Sequence, residues 1–455
     1  MRRYLALFLG LMFVLGFATS AFAITAEIPS DTQAVVAKGT TQITLGGRIL
    51  ARGWYVDNLS ANLPANAESA AAYTTNVFLT VDAKVSENVR GFLELETSNN
   101  MAGTSGIFFW GNHDTKPYAE LLFRQAWIQY SGSGLIGVPA GIKAGHQLLA
   151  LGEKQFLRHE RFGDDAILVF VAPTKELSIA ALTAKLAEGD YKIHRDDIDG
   201  YVLLGTYKLD KNNTLGLNYT LIHSDAGAAP PVYKSLNFQN LGVHANGKVT
   251  GLSYAVEGDL QFGKMDGLVA AEDQKFRGYG IFAKLGYKVD PVNLRASFAM
   301  GSGDSDATDN KNKEFQTLVG MDTQSFIARF PNYTQIYERA TRTAANNQSI
   351  TGNIRTTGIA NTTYYNIGMD VKPTKDLSLS LDGYILRATK AWTAGQKKDM
   401  GTEVDFTGSY KLAKNLSYFI TAATFNPGDY YATSGFSGVA DKTVNLVVHG
   451  LDLRF

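Results

Sequence analysis

Short runs in which apolar and polar residues alternate recur along the whole chain, and they constrain the fold more than any other feature. Strand side chains point alternately to opposite faces, so each run has one apolar and one polar face. Taking the runs bounded by turn residues as strands, the sequence predicts eighteen of them, near 41–58, 73–87, 88–98, 119–131, 138–147, 165–172, 176–188, 198–209, 213–223, 235–247, 248–262, 274–290, 291–302, 358–372, 376–390, 401–413, 414–426 and 441–455.

The connections between these strands are alternately short and long. Short turns such as Pro173-Thr174-Lys175, Asn246-Gly247 and Asp290-Pro291 alternate with long polar segments. Bacterial outer-membrane barrels have an even number of strands, with short turns on the periplasmic side and long loops outside. A soluble β-sandwich or propeller gives no reason for the alternation. The predicted fold is therefore all-β, a transmembrane antiparallel β-barrel of about 18 strands, with 16 as the lower count.

The two ends of the chain indicate export to the outer membrane of a Gram-negative cell. Residues 1–23 have a basic start, an apolar middle and the ending Ala21-Phe22-Ala23, which is typical of a signal peptide. A membrane-spanning helix, the alternative, needs about 20 apolar residues, and this run is shorter. The last strand ends on Phe455, with His449 as the only polar interruption of its apolar face. Such a closing strand is expected to bind the outer-membrane assembly machinery.

Composition excludes several classes of protein. The chain has no Cys, which excludes disulfides, thiolate catalysis, Cys-ligated zinc and covalent c-type haem. The full chain has 43 basic and 43 acidic residues, and residues 1–23 contain two of the arginines, so the remainder has 41 basic and 43 acidic residues. It has no cluster of basic residues that would indicate a nucleic-acid partner. After residue 23 no apolar stretch approaches 18 residues, which excludes a helical membrane bundle. The mean hydropathy of −0.10 still suits a barrel, because half of each strand faces water.

The predicted organisation is a signal peptide (1–23), a periplasmic N-terminal leader (24–40) and a single barrel domain (41–455). The lipid bilayer and lipopolysaccharide are the predicted surroundings. Charged residues on the polar strand faces should project into the lumen, because a charge at mid-bilayer costs roughly 2–4 kcal/mol on the lipid face. The predicted pore-lining residues are Arg48, Arg52, Asp82, Lys84, Glu94, Glu96, Arg124, Lys143, Glu257, Asp259, Lys284, Arg295, Asp382, Glu403 and Asp405. The alternation around Arg124 is ambiguous. These charges either select among solutes or merely keep a wide pore wet by pairing with each other.

The longest predicted loop, 303–357, is too long to be a simple connector. It is predicted either to fold into the pore, where Arg329, Tyr333, Tyr337 and Arg339 are constriction candidates, or to remain a surface loop that contacts lipopolysaccharide. Its aspartates Asp304, Asp306 and Asp309 are a calcium candidate, but Asp309 and Phe315 stand where an EF-hand loop needs Gly and Glu. The preferred expectation is no metal and no cofactor.

Three common catalytic motifs, Gly-x-Ser-x-Gly, His-Glu-x-x-His and the P-loop, do not occur in the sequence. The adjacent residues His159-Glu160 are interpreted as a solvated pair in a loop. The chain is therefore not expected to be an enzyme. Because barrels of 16–18 strands leave an aqueous channel, the first hypothesis is a porin for passive diffusion of small hydrophilic solutes or ions. The alternatives are a channel for an acidic polysaccharide and a structural scaffold barrel, and both monomer and homotrimer stay open.

A resemblance to a known family supports this fold. The segment Phe123-Arg124-Gln125-Ala126-Trp127 is similar to the Leu-Arg-Gln-Ala-Tyr strand of alginate-export-like porins, and the similarity continues through 141–152 and 163–167. The stretch Gly301-Ser302-Gly303-Asp304-Ser305-Asp306 resembles a loop of the same family. The resemblance implies an 18-stranded outer-membrane barrel and passive transport. It does not fix the solute, because export of a polyanion calls for an electropositive lumen and the predicted lumen mixes both signs.

Overall fold

The computed structural model describes residues 34–39, 41–58, 69–97, 108–110, 121–133, 137–189, 197–225, 233–267, 273–306, 309–319, 333–338, 358–391, 395–433 and 442–455. Eighteen long antiparallel strands form one closed barrel, as predicted from the sequence. They are β1 Thr41–Asp57, β2 Ser69–Lys84, β3 Val89–Thr97, β4 Leu121–Gly132, β5 Ala140–Ala150, β6 Leu157–Val171, β7 Leu177–Ala187, β8 Ile198–Lys208, β9 Thr214–Ser224, β10 Tyr233–Val249, β11 Leu252–Gly267, β12 Tyr279–Val289, β13 Val292–Gly301, β14 Thr362–Val371, β15 Leu377–Ala388, β16 Asp399–Ala413, β17 Leu416–Pro427 and β18 Val444–Arg454.

The barrel closes where β1 pairs with β18, from Arg48 opposite Arg454 to Asp57 opposite Asn445. The Gly47 N–H donates to the Phe455 carbonyl at 2.6 Å, and the Phe455 N–H donates back to the Gly47 carbonyl at 3.0 Å. β1 begins before the point where Phe455 pairs with Gly47. Along this first part of β1, residues Thr41–Leu45 pair in antiparallel register with the short strand Ala34–Lys38. The last residues of the predicted leader therefore extend the sheet at the closing seam.

The outer wall is apolar, as the alternation predicts. Large outward side chains are widely exposed, for example Ile367 (75%), Leu260 (60%) and Leu79 (45%). Outward tyrosines such as Tyr201 and Tyr207 stand near the two ends of their strands, where membrane barrels have aromatic girdles. Among the described residues, no helix is long and apolar enough to cross a membrane, and the one described α-helix, α1, is the short segment Asp429–Thr433.

One predicted turn is wrong. Asn246-Gly247 lies inside β10, and the chain reverses four residues later at Thr250-Gly251, between Val249 and Leu252. Both turn residues have positive φ, 48° and 85°, which is the conformation of a two-residue type I′ hairpin turn. The turn predicted at Asp290-Pro291 is confirmed, between Val289 and Val292.

The inner wall differs from the uniformly polar lumen expected from the sequence. From β6 to β10 the inward side chains are mostly apolar and buried, among them Leu168, Leu182, Val202, Ile222 and Phe238. They are covered by two inward segments of chain, one carrying Leu149, Leu151 and Phe156, the other carrying Phe315 and Leu318. The same hydrophobic cluster continues on later strands, with Phe282, Tyr364, Tyr384, Phe425 and Leu446 among its members, because the segments that fold inward need an apolar surface to pack on.

Candidate functional site in the barrel lumen

All fifteen predicted pore-lining residues occupy inward positions of their strands. Arg124 does so through a β-bulge: Gln125 lies opposite Glu94 and Phe123 opposite Leu95, so one extra residue separates them. A bulge places two residues against one and shifts the alternation. This shift is the reason the sequence pattern around Arg124 is ambiguous. Both Arg124 and Gln125 consequently reach Glu94, at 2.8 and 2.9 Å.

Arg124 is the centre of a charged network that joins the wall to the β5–β6 connection. Its guanidinium contacts the Glu94 carboxylate at 2.8 Å, the Glu96 carboxylate at 3.9 Å and the carbonyl of Glu160 at 2.7 Å. The Glu160 carboxylate in turn binds Lys154 and Arg158. Charge-assisted hydrogen bonds of this kind are stronger than neutral ones. The network therefore fixes the β5–β6 connection against the strands β3 and β4.

The β5–β6 connection is also held from the opposite wall by a buried carboxylate on β11. The backbone N–H of Glu153 donates to the Glu257 carboxylate, which is only 4% exposed. Two residues further along the strand, Asp259 accepts from the Asn240 amide at 2.8 Å. The Glu153 side chain itself accepts from the Asn246 amide at 2.7 Å. Residues 151–156 therefore cross part of the lumen between two charged anchors.

Gly152 allows the close approach to Glu257, and we predict that Gly152→Ala lowers stability. Its φ is +54°, and a Cβ there would lie 2.7 Å from the nearer Glu257 carboxylate oxygen. The strained backbone costs about 1 kcal/mol, and the contact adds to it. Gly137→Ala is the matched control, because Gly137 also has positive φ, +74°, but open space around it. The midpoint of thermal unfolding in detergent should fall further for Gly152→Ala; equal shifts would contradict a role for the Glu257 contact.

A second pair of buried carboxylates, Glu403 and Asp405 on β16, binds a turn from the longest loop. Glu403 accepts the backbone N–H groups of Gln335 and Ile336, both at 2.7 Å, and of Tyr337 at 2.8 Å. Asp405 accepts from the Gln335 N–H at 3.2 Å. Three N–H groups converging on one carboxylate form an anion-binding turn. Residues 333–338 are therefore attached to the inner face of the wall.

Both tyrosines among the predicted constriction candidates lie in this turn. The Tyr337 side chain is fully buried, and its hydroxyl lies 2.9 Å from the Thr362 hydroxyl. The ring of Tyr333 stacks on Tyr364 with 4.5 Å between centroids, and its backbone carbonyl accepts from the Tyr384 hydroxyl at 2.8 Å. The other two candidates, Arg329 and Arg339, lie outside the described residues.

An earlier stretch of the same loop, 309–319, also contacts the lumen face of the wall. Gln316 and Gln261 exchange hydrogen bonds: the Gln316 N–H donates to the Gln261 amide oxygen at 2.8 Å, and the Gln261 amide donates to the Gln316 carbonyl at 2.7 Å. Phe315 is fully buried over Gly280, where a Cβ would lie 2.8 Å from its ring. Leu318–Val319 then pairs with the start of β6. The stretch thus runs from β12 to β6 inside the barrel.

Two of the three aspartates predicted as a calcium candidate, Asp304 and Asp309, form other contacts. Asp304 accepts the backbone N–H groups of Asp306 at 3.0 Å and Lys313 at 3.1 Å, and Asp309 pairs with the Lys313 ammonium at 2.7 Å. The hydrogen bond from Lys313 lowers the pKa of Asp309. Within the described part of the chain, no group of three or more acidic or His side chains is placed to hold a metal ion.

Arg295 forms the most complete ion pair of the lumen. Its guanidinium contacts Asp370 at 2.8 Å and both oxygens of Asp382 at 2.8 and 2.9 Å, and it donates to the Ser380 hydroxyl at 2.8 Å. Gly368 leaves room for this arrangement, since a Cβ there would lie 2.2 Å from Asp382. The cluster lies beside a cavity of about 840 Å³ at the short-turn end of the barrel. Inward hydroxyls, including Ser253, Ser378, Thr407, Ser409 and Thr421, line this vestibule.

The remaining predicted residues lie on β1–β5 and β12. Arg48 forms a bidentate ion pair with Asp452 across the seam, at 2.6 and 2.7 Å, and Arg52 donates to Asn76 at 2.5 Å. Asp82 binds Arg90 at 2.6 Å. Lys143 is 1% exposed, and its ammonium lies 3.9 Å from the centroid of the Trp127 ring, a cation–π contact. Lys84 and Lys284 are exposed inward lysines.

Several charged residues of the lumen were missed by the sequence analysis. Asp370 and Asp452 fall on inward positions of their strands, so the alternation rule would have found them. Lys154, Arg158 and Glu160 lie in or next to a connection that had been interpreted as an external loop. The interpretation of His159-Glu160 as a solvated pair is wrong: His159 is 3% exposed and lies 2.7 Å from Asp164. The apolar residues Leu148 to Leu151 were the signal that this connection folds inward.

Comparison with known proteins adds two findings. A family model described as alginate export matches residues 43–444. Solved structures of Pseudomonas aeruginosa outer-membrane proteins share the fold: OccK5 (OpdH) has a TM-score of 0.53 at 12% identity, covering 90% of this chain and 98% of that one. OprD has a TM-score of 0.51 at 10% identity, covering 90% of this chain and 95% of OprD. OpdK with vanillate has a TM-score of 0.52 at 10% identity, covering 90% of this chain and 98% of OpdK. A search of curated proteins finds no match.

Proposed function

Because the chain belongs to the alginate export family and is an outer-membrane β-barrel, we propose that it is a porin for passive diffusion of small hydrophilic solutes or ions. The observation that carries this proposal is the vestibule of about 840 Å³ at the short-turn end of the barrel, lined by hydroxyl and charged side chains together with the apolar residues Val371, Leu379, Phe419 and Ile420. A barrel of 18 strands is wide enough for an aqueous channel. Solved structures with this fold include the outer membrane proteins OpdK and OprD of Pseudomonas aeruginosa, which also supports a channel rather than an enzyme.

The inward segments narrow the channel. Residues 151–156, 309–319 and 333–338 contact the lumen face of the wall, and their backbone groups are bound by Glu257, Gln261 and Glu403. Arg48, Arg124 and Arg295 also face the lumen. Because each of these arginines is paired with a carboxylate, they add little net positive charge to the channel. A channel of this kind should discriminate by size and hydrogen bonding more than by charge.

Export of an acidic polysaccharide is the second candidate, and the family description favours it. A polyanion needs cations that are free to contact it. Arg48, Arg124 and Arg295 are instead paired with Asp452, Glu94, Asp370 and Asp382, and the exposed cations of the inner wall include isolated lysines such as Lys84 and Lys284. These mixed and largely paired charges favour small solutes over a polyanion.

Planar-bilayer recording of the purified mature protein tests the proposal. We expect steady single-channel steps, with a small reversal potential under a salt gradient because the lumen charges are paired. Strong anion selectivity would replace the porin proposal by transport of an acidic polymer. The absence of conductance from correctly folded protein would overturn both and favour a scaffold barrel with a closed lumen.

A further inference from the structure

Two buried carboxylates lie side by side on the inner face of β11. Glu257 is 4% exposed and Asp259 is 3% exposed, and their carboxyl groups lie within hydrogen-bonding distance of each other. Neither forms an ion pair within the described part of the chain. The lysines on this side, Lys154 and Lys284, act on Glu153 instead. A buried pair of this kind either shares a proton or stays charged because a cation joins the two groups.

The amide of Asn218 on β9 meets this pair across a glycine. Asn218 and Asp259 are the register partners of Gly242 on its two sides. Both side chains reach over Gly242: a Cβ there would lie 2.9 Å from the Asn218 amide oxygen and 2.7 Å from one Asp259 carboxylate oxygen. Asn218 is 1% exposed, yet its amide oxygen has no hydrogen-bond partner, and neither has the other Asp259 oxygen. Two acceptor oxygens are therefore buried close together without a donor.

The donors that contact these carboxylates leave both oxygens unsatisfied. The Asn240 amide donates to the first Asp259 oxygen at 2.8 Å, and the Glu153 N–H donates to Glu257. Buried acceptors without a donor are a common sign of a bound water or ion. A proton shared by the two carboxyl groups does nothing for the Asn218 oxygen, which accepts but carries no charge. A cation between the three side chains satisfies all of them.

We propose that Glu257, Asp259 and Asn218 form a calcium site on the inner wall of the barrel. Ca²⁺ binds carboxylate and amide oxygens in flexible geometry and completes its shell with water, whereas Mg²⁺ demands a nearly ideal octahedron. Its two positive charges match the two carboxylates. The site uses only two acidic ligands, so it differs from the groups of three or more acidic or His side chains that the described residues lack.

Calcium at this site also stiffens the attachment of the β5–β6 connection. Glu257 is the carboxylate that accepts the backbone N–H of Glu153, and Gly152 lets the connection approach it closely. An ion that fixes the Glu257 side chain therefore fixes residues 151–156 against β11. The ion also cancels the negative charge that the pair would otherwise place in the wall.

Titration calorimetry with calcium chloride tests the proposal on the whole barrel, purified in detergent and freed of lipopolysaccharide. We expect one Ca²⁺ per chain, and a midpoint of thermal unfolding that is higher in calcium than in EDTA, because a ligand that binds only the folded state stabilises it. Asp259→Asn should weaken binding at least about tenfold, since even changes outside the ligand shell cost about 10–100-fold in metal affinity.

Asn218→Leu distinguishes a metal site from a merely structural role. Leu is similar in size and has no polar atom, so in the absence of an ion it only removes an unpaired buried acceptor and should not destabilise the barrel. With calcium, it should weaken binding at least about tenfold and reduce the calcium-dependent rise of the midpoint. Thr74→Val on β2 is the matched control: Thr74 is fully buried and its hydroxyl also lacks a partner, but it lies seven strands away from β9. Calcium binding should be unchanged.

Two results would overturn the proposal. Each variant is first shown to be a folded barrel by its altered mobility in unheated gels. If the unmodified protein binds no calcium and its midpoint is the same in calcium and EDTA, the two carboxyl groups share a proton instead. If calcium binds but the affinity survives both Asp259→Asn and Asn218→Leu, the ion occupies another part of the molecule.

Discussion

Replacing Glu403 by Gln is expected to release the turn 333–338 from the wall and to raise both the conductance and the current noise of the channel. The carboxylate accepts three backbone N–H groups at 2.7–2.8 Å, and hydrogen bonds to a charged group contribute roughly 1.5–3 kcal/mol each. The neutral amide keeps one acceptor oxygen and turns an N–H₂ group toward the Tyr337 N–H. A loss of about 3 kcal/mol weakens attachment of the turn by ~100-fold.

Asp405→Asn is the matched control for this prediction. Asp405 stands two residues away on the same inward face, is also buried, and accepts only the Gln335 N–H at 3.2 Å. One of its oxygens has no hydrogen-bond partner, so the neutral amide costs little. We expect unchanged conductance for Asp405→Asn. Identical single-channel traces for Glu403→Gln and wild type would show that the three N–H contacts do not hold the turn in place.

Replacing Arg295 by Met is expected to destabilise the barrel and to make the channel more cation-selective. Arg295 neutralises Asp370 and Asp382 together, and its side chain is 16% exposed. Removing one partner of a buried pair costs about 3–5 kcal/mol; partial exposure of the two carboxylates reduces the expected loss to about 2–3 kcal/mol. The two unpaired carboxylates then attract cations to the vestibule. Denaturant unfolding and the reversal potential measure the two effects.

Lys284→Met separates stability from selectivity. Lys284 also faces inward but is exposed, so the substitution removes the same charge without breaking a close ion pair. Both variants should shift the reversal potential toward cation selectivity, and only Arg295→Met should lower the free energy of unfolding appreciably. Equal stability of the two variants would mean that the Arg295 cluster contributes no more than an exposed surface charge.

The barrel itself could be predicted because period-two alternation reports directly which face of a strand meets lipid. The rule is weakest where both faces are apolar. In β6, the inward Ala166 and Leu168 alternate with the outward Ile167 and Val169, so the run is apolar throughout, as in a strand buried on both faces. Such a run reports that something covers the inner wall, but not which segment does.

The inward segments could not be predicted from the sequence, since their anchors come from distant parts of the chain. Glu403 and Tyr337 are 66 residues apart, and Glu257 and Glu153 are 104 apart. The alternation places Glu257 and Glu403 in the lumen but says nothing about their partners. The pattern around Arg124 was ambiguous for a related reason: one residue of slip reverses the faces of a strand, and local sequence alone did not reveal the bulge. The turn at Thr250-Gly251 was missed because Asn246-Gly247, four residues earlier, has the stronger turn signal.

The seam between β1 and β18 has a consequence for how the molecule forms. Its paired residues are between 388 (Asp57 and Asn445) and 406 (Arg48 and Arg454) positions apart, whereas most other neighbouring strands are hairpins that are close in sequence. Contacts between distant residues carry the largest loss of chain entropy and form slowly. Ring closure is therefore the expected late step of folding. Until it occurs, the edges of β1 and β18 are open to pairing with other chains, so contacts across the seam such as the Arg48–Asp452 pair should also protect the chain against aggregation.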